Sequence, residues 1–424
     1  MPPSMKLPCL LLILPQLGLA IDDDCGASHP NVPPDDSNQG CEARKGNAKM
    51  PLHLVDESRA AASGGVCLDG SRPGYYYQPA TRSDNAQWLL YFKGGGWCYD
   101  EDSCAARAKG ELGSSDHFPA TFAFSGLMDS DPQVNPTFAH FHRVILWYCD
   151  GASFAGDRDA PVKHAPTNQT IYFRGRRVLR LLLQTIAERH GLANASEVLL
   201  SGGSAGGLAT FLHADQVKAQ LEELGANLRV YKAAPVSGLF ALHDDATGTP
   251  LYPNEMRHVF TMQNCSSGVN SACVASLPPH EAWRCIFANY SYAHTSVPMF
   301  PLQSVLDSWQ MGNIWKGDSA CARSKFTKCT AEEVRELNGY AHDLLADLKR
   351  TSKFRRDGEG GFVESCYEHV QGQGGGFGKY TINGTSEQEA LTRWWHAPPS
   401  APAVWYLPCS LRADPPHQCN PTCG

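Results

Sequence analysis

The sequence has no cluster of basic residues and little charge overall. Asp and Glu outnumber Lys and Arg by 43 to 36, and the formal net charge is −7. Nucleic-acid binding needs clustered cations that neutralise phosphates, so the absence of a Lys/Arg run argues against that function. Charged residues make up only 19 % of the chain and apolar residues 42 %, which excludes an intrinsically disordered protein. The 424 residues can therefore bury a substantial core.

Zinc-binding motifs are also missing. The chain contains no C-x-x-C pair and no H-E-x-x-H motif, although it has 16 cysteines. Cysteines scattered over a chain of this size are typical of disulfide bonds formed in an oxidising compartment. We therefore expect disulfides and no metal. Removing Cys9 with the N-terminal segment described next leaves an odd number of cysteines, so one thiol should stay free or bridge to another chain.

No apolar run is long enough to span a membrane. Residues 7–19 form an apolar stretch that contains two prolines and a glutamine and is shorter than the ~20 residues of a spanning helix. Lys6 precedes it, and Gly18 and Ala20 are small residues at positions −3 and −1 of a cut after Ala20. This pattern predicts a secretory signal peptide over residues 1–20. Five N-glycosylation sequons agree with secretion, at Asn168, Asn194, Asn264, Asn289 and Asn383.

The rest of the chain predicts one domain. Residues 21–50 are polar, acidic and rich in Pro, Gly and Asn, which is typical of a loosely ordered leader. No linker divides residues 51–424, so we expect a single domain there. Its Cys/Pro-rich tail, with Cys409, Cys419 and Cys423, should be held to the domain by disulfides. We find no internal repeat.

Short apolar runs alternate with helical patterns throughout this domain. Residues 87–92 (QWLLYF) and 143–148 (RVILWY) are typical of buried strands, and residues 297–302 are a further strand candidate. Residues 173–190 and 208–224 have helical patterns on either side of a predicted strand, EVLL. The alternation predicts an α/β fold with a mostly parallel sheet covered by helices on both faces.

A candidate nucleophile follows the strand EVLL. The chain there reads Gly202-x-Ser204-x-Gly206 and continues into a predicted helix. G-x-S-x-G between a strand and a helix is typical of a nucleophile elbow, a sharp turn that presents a catalytic serine. The pentapeptide alone is common in Gly-rich loops, and its flanking strand and helix make the stronger case. We therefore predict Ser204 as the nucleophile, with the amide of Ala205 as an oxyanion donor.

A serine nucleophile needs a base and an orienting acid, and in this fold class the acid precedes the histidine along the chain. His369 follows a strand-like run and precedes a loop at residues 372–378 that we expect to be flexible. Asp307 follows an apolar run, whereas His213 lies in a helical pattern typical of surface or packing residues. The sequence favours Asp307 and His369.

The oxyanion hole also needs a second donor. Gly94-Gly95-Gly96 follows the strand at residues 87–92, as does the Gly-rich loop that supplies this donor in lipases and esterases. A tight β-turn is the alternative interpretation, and the two are compatible.

Several motifs together resemble one enzyme family. They are GGGWC (94–98) followed by Cys104, YCDGASFAGD (148–157), Phe173-Arg174-Gly175, Gly203-Ser204-Ala205-Gly206-Gly207 and Asp307-Ser308-Trp309-Gln310. In this combination they are similar to the pectin acetylesterases and the related Notum carboxylesterases, over about residues 66–395. The decapeptide is far more specific than G-x-S-x-G. The resemblance implies an α/β-hydrolase fold.

The resemblance also implies residue roles and disulfides. It assigns the nucleophile, acid and base to Ser204, Asp307 and His369, and the oxyanion donors to Gly95, Gly96 and Ala205. It supports the pair Cys98–Cys104, whose members lie close together beside the Gly-rich turn, and it implies the pair Cys67–Cys149. Lys93 stands where the family usually has Glu, and Val236 where it usually has Asp. Both departures bear on the pocket rather than on the triad.

We expect a secreted serine carboxylesterase, extracellular or in a cell wall, that removes acetyl groups from a polysaccharide such as pectin without a cofactor. One alternative is a Notum-like protein O-fatty-acyl carboxylesterase, which would need a deep apolar pocket for the lipid. The other is a non-catalytic carbohydrate-binding glycoprotein on a hydrolase fold. The intact set Ser204, Asp307 and His369 argues against the latter.

Overall fold

A ten-stranded sheet is the centre of the computed structural model, which describes residues 48–317, 320–321, 324, 328–408 and 420–423. The predicted signal peptide lies outside these residues, as does most of the predicted leader. The last leader residue, Met50, is buried and begins the first strand. Within the described part of the chain, no helix is both long and apolar enough to cross a membrane.

The described residues contain two small antiparallel pairs, β6-β7 and β12-β13, besides the main sheet. The strands are β1 (Met50–Leu54), β2 (Gly74–Gln78), β3 (Gln87–Phe92), β4 (Thr121–Phe122), β5 (His142–Leu146), β6 (Val162–His164), β7 (Gln169–Ile171), β8 (Glu197–Gly203), β9 (Val230–Val236), β10 (Leu302–Ser304), β11 (Gly360–Glu364), β12 (Thr381–Ile382), β13 (Thr385–Ser386) and β14 (Val404–Tyr406).

Helices connect most of these strands. They are α1 (Glu57–Ser63), α2 (Glu101–Arg107), α3 (Gly175–His190), α4 (Ala205–Glu223), α5 (Leu251–Met262), α6 (Ser271–Ser276), α7 (Ala288–His294), α8 (Ser308–Gln310), α9 (Ala331–Arg350), α10 (Gly376–Lys379) and α11 (Glu387–His396). Short 3₁₀ turns include Pro279–Ile286 and Gln371–Gln373, and a π turn spans Met311–Trp315.

The main sheet is parallel over most of its width. Its order is β14-β11-β10-β9-β8-β3-β5-β2-β1-β4, and every pair from β14 to β5 is parallel. β2, β1 and β4 extend it with antiparallel pairings. The predicted α/β fold with a mostly parallel sheet is thus confirmed, although the sequence did not indicate the antiparallel extension.

Both faces of the central strands are covered, as the continuous apolar runs predict. Along β3, Leu90 packs in a core with Val178 of α3 and Leu208 of α4. The neighbouring residue Leu89 packs in a second core with Trp394 of α11. Successive side chains of a strand point to opposite faces, so helices lie on both sides of the sheet.

The strand order reverses between β3 and β8. The chain goes from β3 to β5 on one side, then through α3 to β8 on the other side of β3. In open α/β sheets, ligands bind in the crevice at the carboxyl ends of strands that flank such a reversal. A functional site is therefore expected where β3 and β8 end.

Two local predictions were wrong. Of the candidate run at 297–302, only Leu302 lies in a strand, where it begins β10, while Met299 makes an isolated bridge. Pro298 and Pro301 lack the N–H groups that a longer ladder needs. The loop at 372–378, expected to be flexible, instead holds α10 and a buried 3₁₀ turn.

Candidate active site

Ser204 lies at the sharp turn between β8 and α4. Its φ of 58° and ψ of −127° are strained for a residue with a side chain. The turn is tight enough that a Cβ on Gly206 would lie 2.1 Å from the carbonyl oxygen of Phe92. Ser204 is partly exposed and begins the 19-residue helix α4. The geometry fits the predicted nucleophile elbow.

Asp307 and His369 lie on neighbouring loops at the same end of the sheet. They follow the adjacent parallel strands β10 and β11. The Asp307 carboxylate oxygen Oδ2 is 2.7 Å from His369 Nδ1, and both side chains are buried. The amide of Gln310 donates to Oδ1 of Asp307 over 3.1 Å. The predicted acid and base therefore form a buried hydrogen-bonded pair, and Nδ1–H donation leaves Nε2 as the basic nitrogen.

Ser237 links the elbow to the loop that carries His369. The amide of Ser204 donates to the carbonyl of Val236 over 3.0 Å, which fixes the elbow against the end of β9. The next residue, Ser237, is fully buried and accepts a hydrogen bond of 2.8 Å from the amide of Val370. Three segments that are distant in sequence thus converge on the predicted nucleophile and the predicted base.

The Gly-rich turn lies against the elbow. A Cβ on Gly94 would lie 2.3 Å from the carbonyl oxygen of Gly203, so the two segments approach as closely as glycine permits. Gly95 and Gly96 have φ of 136° and 60°, and neither of their amides donates to a backbone carbonyl of the described residues. These two amides and that of Ala205 are the oxyanion donors that the sequence indicates.

Four aromatic side chains pack together beside His369, and we call them the aromatic wall: Trp97, Phe240, Tyr252 and Trp309. Trp97 contacts Phe240, Tyr252 and Trp309 with ring centroids 4.9, 6.0 and 5.5 Å apart. The rings of Phe240 and Trp309 lie 6.3 and 6.4 Å from that of His369. The wall therefore occupies one side of the site with bulky apolar groups.

Sequence reasoning missed several residues that hold the site together. For His213 the sequence left surface and packing roles open; it is fully buried, as the packing role requires, and its Nε2 lies 2.8 Å from the carbonyl oxygen of Ser153, a contact that the sequence did not indicate. Burial lowers its pKa to about 4, so it is neutral there. Tyr148 and Ser153 also make buried hydrogen bonds, to Gly96 and Ala205. Both residues lie in the decapeptide YCDGASFAGD, which is specific to the family although none of its residues was assigned a catalytic role. That specificity was the signal that could have indicated a structural part for them.

The two departures from the family pattern have different settings. Lys93 is 5 % exposed, and its Nζ lies 5.5 Å from the ring centroid of Trp147 and 5.8 Å from that of Phe122. Val236 is fully buried at the end of β9, and its backbone carbonyl holds the Ser204 amide. Lys93 thus places a cation among aromatic rings. Val236 leaves the backbone contact with the elbow intact, because that contact uses only its carbonyl group.

The disulfides include both expected pairs. The bonds are Cys67–Cys149, Cys98–Cys104, Cys273–Cys285, Cys321–Cys329 and Cys366–Cys423. Cys423 of the tail is thus joined to the loop after β11, while Cys409 and Cys419 lie outside the described residues. Cys265 is buried and free among the described cysteines. Glu364 lies near Cys366 and Cys423 in a metal-like grouping, but the disulfide occupies both sulfurs.

The sheet order and the elbow place the chain among α/β-hydrolase-like proteins. A solved structure described as the Wnt deacylase Notum from Drosophila superposes with a TM-score of 0.73 at 23 % identity, covering 89 % of this chain and 100 % of that one. More specifically, the chain belongs to the Pectinacetylesterase family, which it matches over residues 43–424. It is a carboxylic ester hydrolase.

Relatives within the family have two kinds of activity in their names. Pectin acetylesterase 5 of Arabidopsis thaliana is 30 % identical, with 88 % of this chain and 84 % of the relative covered. Pectin acetylesterase 11 of the same plant is 31 % identical, with coverage of 89 % and 93 %. Palmitoleoyl-protein carboxylesterase NOTUM of Homo sapiens is 27 % identical, with coverage of 90 % and 75 %.

Proposed function

We propose that the chain is a secreted serine carboxylesterase that removes acetyl groups from a polysaccharide such as pectin. The observation that carries the catalytic part is the buried Asp307–His369 pair, which lies at the same end of the sheet as the strained Ser204. The names of the plant relatives support the acetyl substrate.

Each residue has a defined part in the reaction. Ser204 Oγ attacks the ester carbonyl carbon and passes its proton to Nε2 of His369, while Asp307 orients the imidazole through Nδ1 and stabilises its cation. The tetrahedral oxyanion accepts hydrogen bonds from the amides of Gly95, Gly96 and Ala205. Collapse expels the alcohol with a proton from His369. Water activated by His369 then hydrolyses the acyl-enzyme and releases the acid. No step needs a metal or another cofactor.

The aromatic wall supports a short acyl group. Its rings pack against one another and lie beside His369, so a long chain there would displace large buried side chains. A Notum-like deacylase is the competing function, and it requires the opposite, an open apolar pocket. The wall therefore favours acetyl over fatty acyl.

Secretion is supported by three features. The predicted signal peptide precedes the domain, and disulfides are typical of oxidising compartments. Among the sequons, Asn168, Asn194, Asn264 and Asn383 are exposed. The side-chain amide of Asn264 already donates to the carbonyl of Asp157 over 3.0 Å, so the other three are the preferred glycosylation sites.

Substitution of the nucleophile tests this function. Ser204→Ala should lower kcat for p-nitrophenyl acetate by about 10⁴-fold or more, because attack by Oγ is lost. Its Tm should stay close to that of the wild type. The control Ser63→Ala, which removes a hydroxyl that contacts Ala60 at the end of α1, should retain full activity. Near wild-type turnover by Ser204→Ala would refute the mechanism, and release of no acetate from acetylated pectin would refute the substrate.

A further inference from the structure

The decapeptide YCDGASFAGD forms a strained turn after β5 that no catalytic step uses. The buried Asp150 carboxylate accepts hydrogen bonds from the amides of Ala152 and Phe154, over 3.1 and 3.0 Å. These bonds close the turn and hold Ser153 and Phe154 at φ of 53° and 61°. That conformation is disfavoured for residues other than glycine. The turn thus fixes the direction of the Ser153 side chain.

All polar groups of Ser153 have partners, and three of its four partners belong to the two segments around the proposed nucleophile, the Gly-rich turn and the elbow with α4. Its hydroxyl donates to the carbonyl of Ala205 and accepts from Nε1 of Trp97, both over 2.8 Å. Its amide donates to the hydroxyl of Tyr148 over 3.0 Å. Its carbonyl accepts from Nε2 of His213 on α4 over 2.8 Å. Ser153 is only 1 % exposed, so water does not compete for these bonds.

Tyr148 completes the connection to the Gly-rich turn. Its hydroxyl donates to the carbonyl of Gly96 over 2.8 Å while accepting from the Ser153 amide. Gly96 and Ala205 follow different strands, β3 and β8, and Ser153 and Tyr148 join them through three hydrogen bonds. The separation of the two segments is therefore set by the decapeptide.

We propose that Ser153 is a positioning residue that fixes the spacing of the oxyanion donors on the Gly-rich turn and on the elbow. The proposal rests on the esterase function proposed above. Donors stabilise an oxyanion only when they lie at hydrogen-bond distance from the position it will occupy. A displacement of about 1 Å can lower a rate by about 10²-fold. Removal of the hydroxyl should therefore impair the transition state more than substrate binding.

The test compares Ser153→Ala with Thr185→Val. Thr185 is a matched control on α3, since its buried hydroxyl also donates to a carbonyl over 2.8 Å, that of Leu181. We expect Ser153→Ala to lower kcat for p-nitrophenyl acetate about 10- to 100-fold with KM within about twofold of the wild type. The acid limb of the kcat/KM profile should keep its pKa, because the polar groups of Ser153 bond to Trp97, Tyr148, Ala205 and His213 rather than to the acid–base pair. Thr185→Val should keep kcat.

A second variant guards against misfolding. Tyr148→Phe keeps the ring and removes only the hydroxyl, and it should lower kcat at unchanged KM. In the double variant with Ser153→Ala, the loss should be smaller than the product of the single losses, because both act on one spacing. If Ser153→Ala does not fold, the kcat of Tyr148→Phe decides.

Three outcomes overturn the proposal. They are an unchanged kcat in folded Ser153→Ala or Tyr148→Phe, a loss confined to KM, and a shifted acid-limb pKa. If the Ser204→Ala variant keeps the activity of the wild type, the esterase mechanism is refuted instead, and this inference with it.

Discussion

Strained residues concentrate around the candidate site. Among the described residues, nine other than glycine have positive φ, and three of these are asparagines, which tolerate it. Five of the remaining six belong to the elbow and the loops that contact it: Ser153, Phe154, Ser204, Ser237 and Val370. Such strain persists only where surrounding contacts enforce it, and it is typical of functional sites.

Asp307 should be essential for activity because it holds the imidazole of His369 in the tautomer that can act as a base. In Asp307→Asn the amide can donate to Nδ1 and so stabilise the wrong tautomer, which leaves Nε2 protonated and unable to act as a base. We expect kcat for p-nitrophenyl acetate to fall about 10⁴-fold, with the fold intact by circular dichroism. Asp343→Asn, an exposed position on α9, is the control. A loss below tenfold would contradict the assignment of Asp307.

The proposed triad could be named from the sequence because motif and chain order limit the candidates, whereas the residues that pack around it could not. Ser204 has a local signature, and Asp307 and His369 follow it in the expected order. Ser153 contacts a residue 52 positions away, and Ser237 contacts one 133 positions away. Such partners are decided by the tertiary fold, and periodicity and local propensity do not report them.

At the scale of elements, the segment from the Gly-rich turn to α2 is held by the disulfide Cys98–Cys104. The first helical turn of α2 has a capping box in which Asp100 and Ser103 bond reciprocally. The disulfide then joins Cys104 of α2 to Cys98, the residue that follows Trp97. A covalent bond and a cap thus restrain the segment that carries two of the expected oxyanion donors.

The double variant Cys98→Ala/Cys104→Ala should therefore lose activity as well as stability. Loss of a short disulfide loop lowers the free energy of unfolding by about 2 kcal/mol, and the freed turn should lower kcat. Cys273→Ala/Cys285→Ala is the matched control, since its bond joins α6 to a 3₁₀ turn. It should lose stability at unchanged kcat, as measured by urea unfolding and p-nitrophenyl acetate turnover. Equal kcat effects in the two double variants would refute this role.

The aromatic wall should set acyl-chain length. We expect kcat/KM of the wild type to fall from acetyl to octanoyl p-nitrophenyl esters, because added methylenes find occupied space. Trp309→Ala should open that space and raise the octanoyl-to-acetyl ratio at least about tenfold, since each buried CH₂ is worth about 0.8 kcal/mol.

Trp405→Ala controls for the loss of a large side chain. Trp405 lies in the edge strand β14, where it stacks on Phe354, and it is not part of the aromatic wall. Its octanoyl-to-acetyl ratio should match that of the wild type. A wild type that prefers octanoyl ester would replace the acetylesterase function with the Notum-like one.

On the scale of the whole molecule, the parallel core was predictable and the strand order was not. Alternating strands and helices indicate a parallel sheet whatever the order of its strands. The antiparallel addition of β2, β1 and β4 depends on pairing between short strands far apart in sequence, such as Met50 with Phe122. The reversal between β3 and β8 locates the crevice, but the sequence does not predict this strand order. From the sequence alone, the position of the site could therefore be inferred only from motifs.

A histidine cluster at the amino ends of β3 and β5 should make stability depend on pH. The ring of His190 lies 5.1 Å from that of His53, and its Nε2 is 2.9 Å from the hydroxyl of Tyr75. Burial, then His53, Arg189 and His142, lower the pKa of His190 to about 4. The nearby carboxylate of Asp56 pairs with Arg189. Among the described ion pairs, none joins a carboxylate to His190, so none stabilises its protonated form.

The sign of this dependence follows from the lowered pKa. The unfolded chain takes up a proton near pH 6.5 and the folded chain only near pH 4, so stability from neutral His190 is present above pH 6.5 and is lost as pH falls towards 4. In His190→Gln, the drop in unfolding free energy between pH 7.5 and 5 should shrink by about 1–2 kcal/mol, after allowance for partial exposure. His280→Gln, at an exposed position, should keep the wild-type dependence. Urea titrations at both pH values measure it, and identical slopes in all three proteins would contradict it.

The bond between Cys366 and Cys423 has a consequence for the order of events during synthesis. Cys423 follows Cys366 by 57 residues, and Cys366 lies three residues before the proposed base His369. The ribosome makes roughly 5–20 residues per second, so for several seconds the loop of the base is out of the ribosome without its covalent partner. Ser204 and Asp307 are synthesised earlier. We therefore expect full hydrolytic activity only after the tail has emerged and this bond has formed, so that the supply of oxidant sets the time at which activity begins.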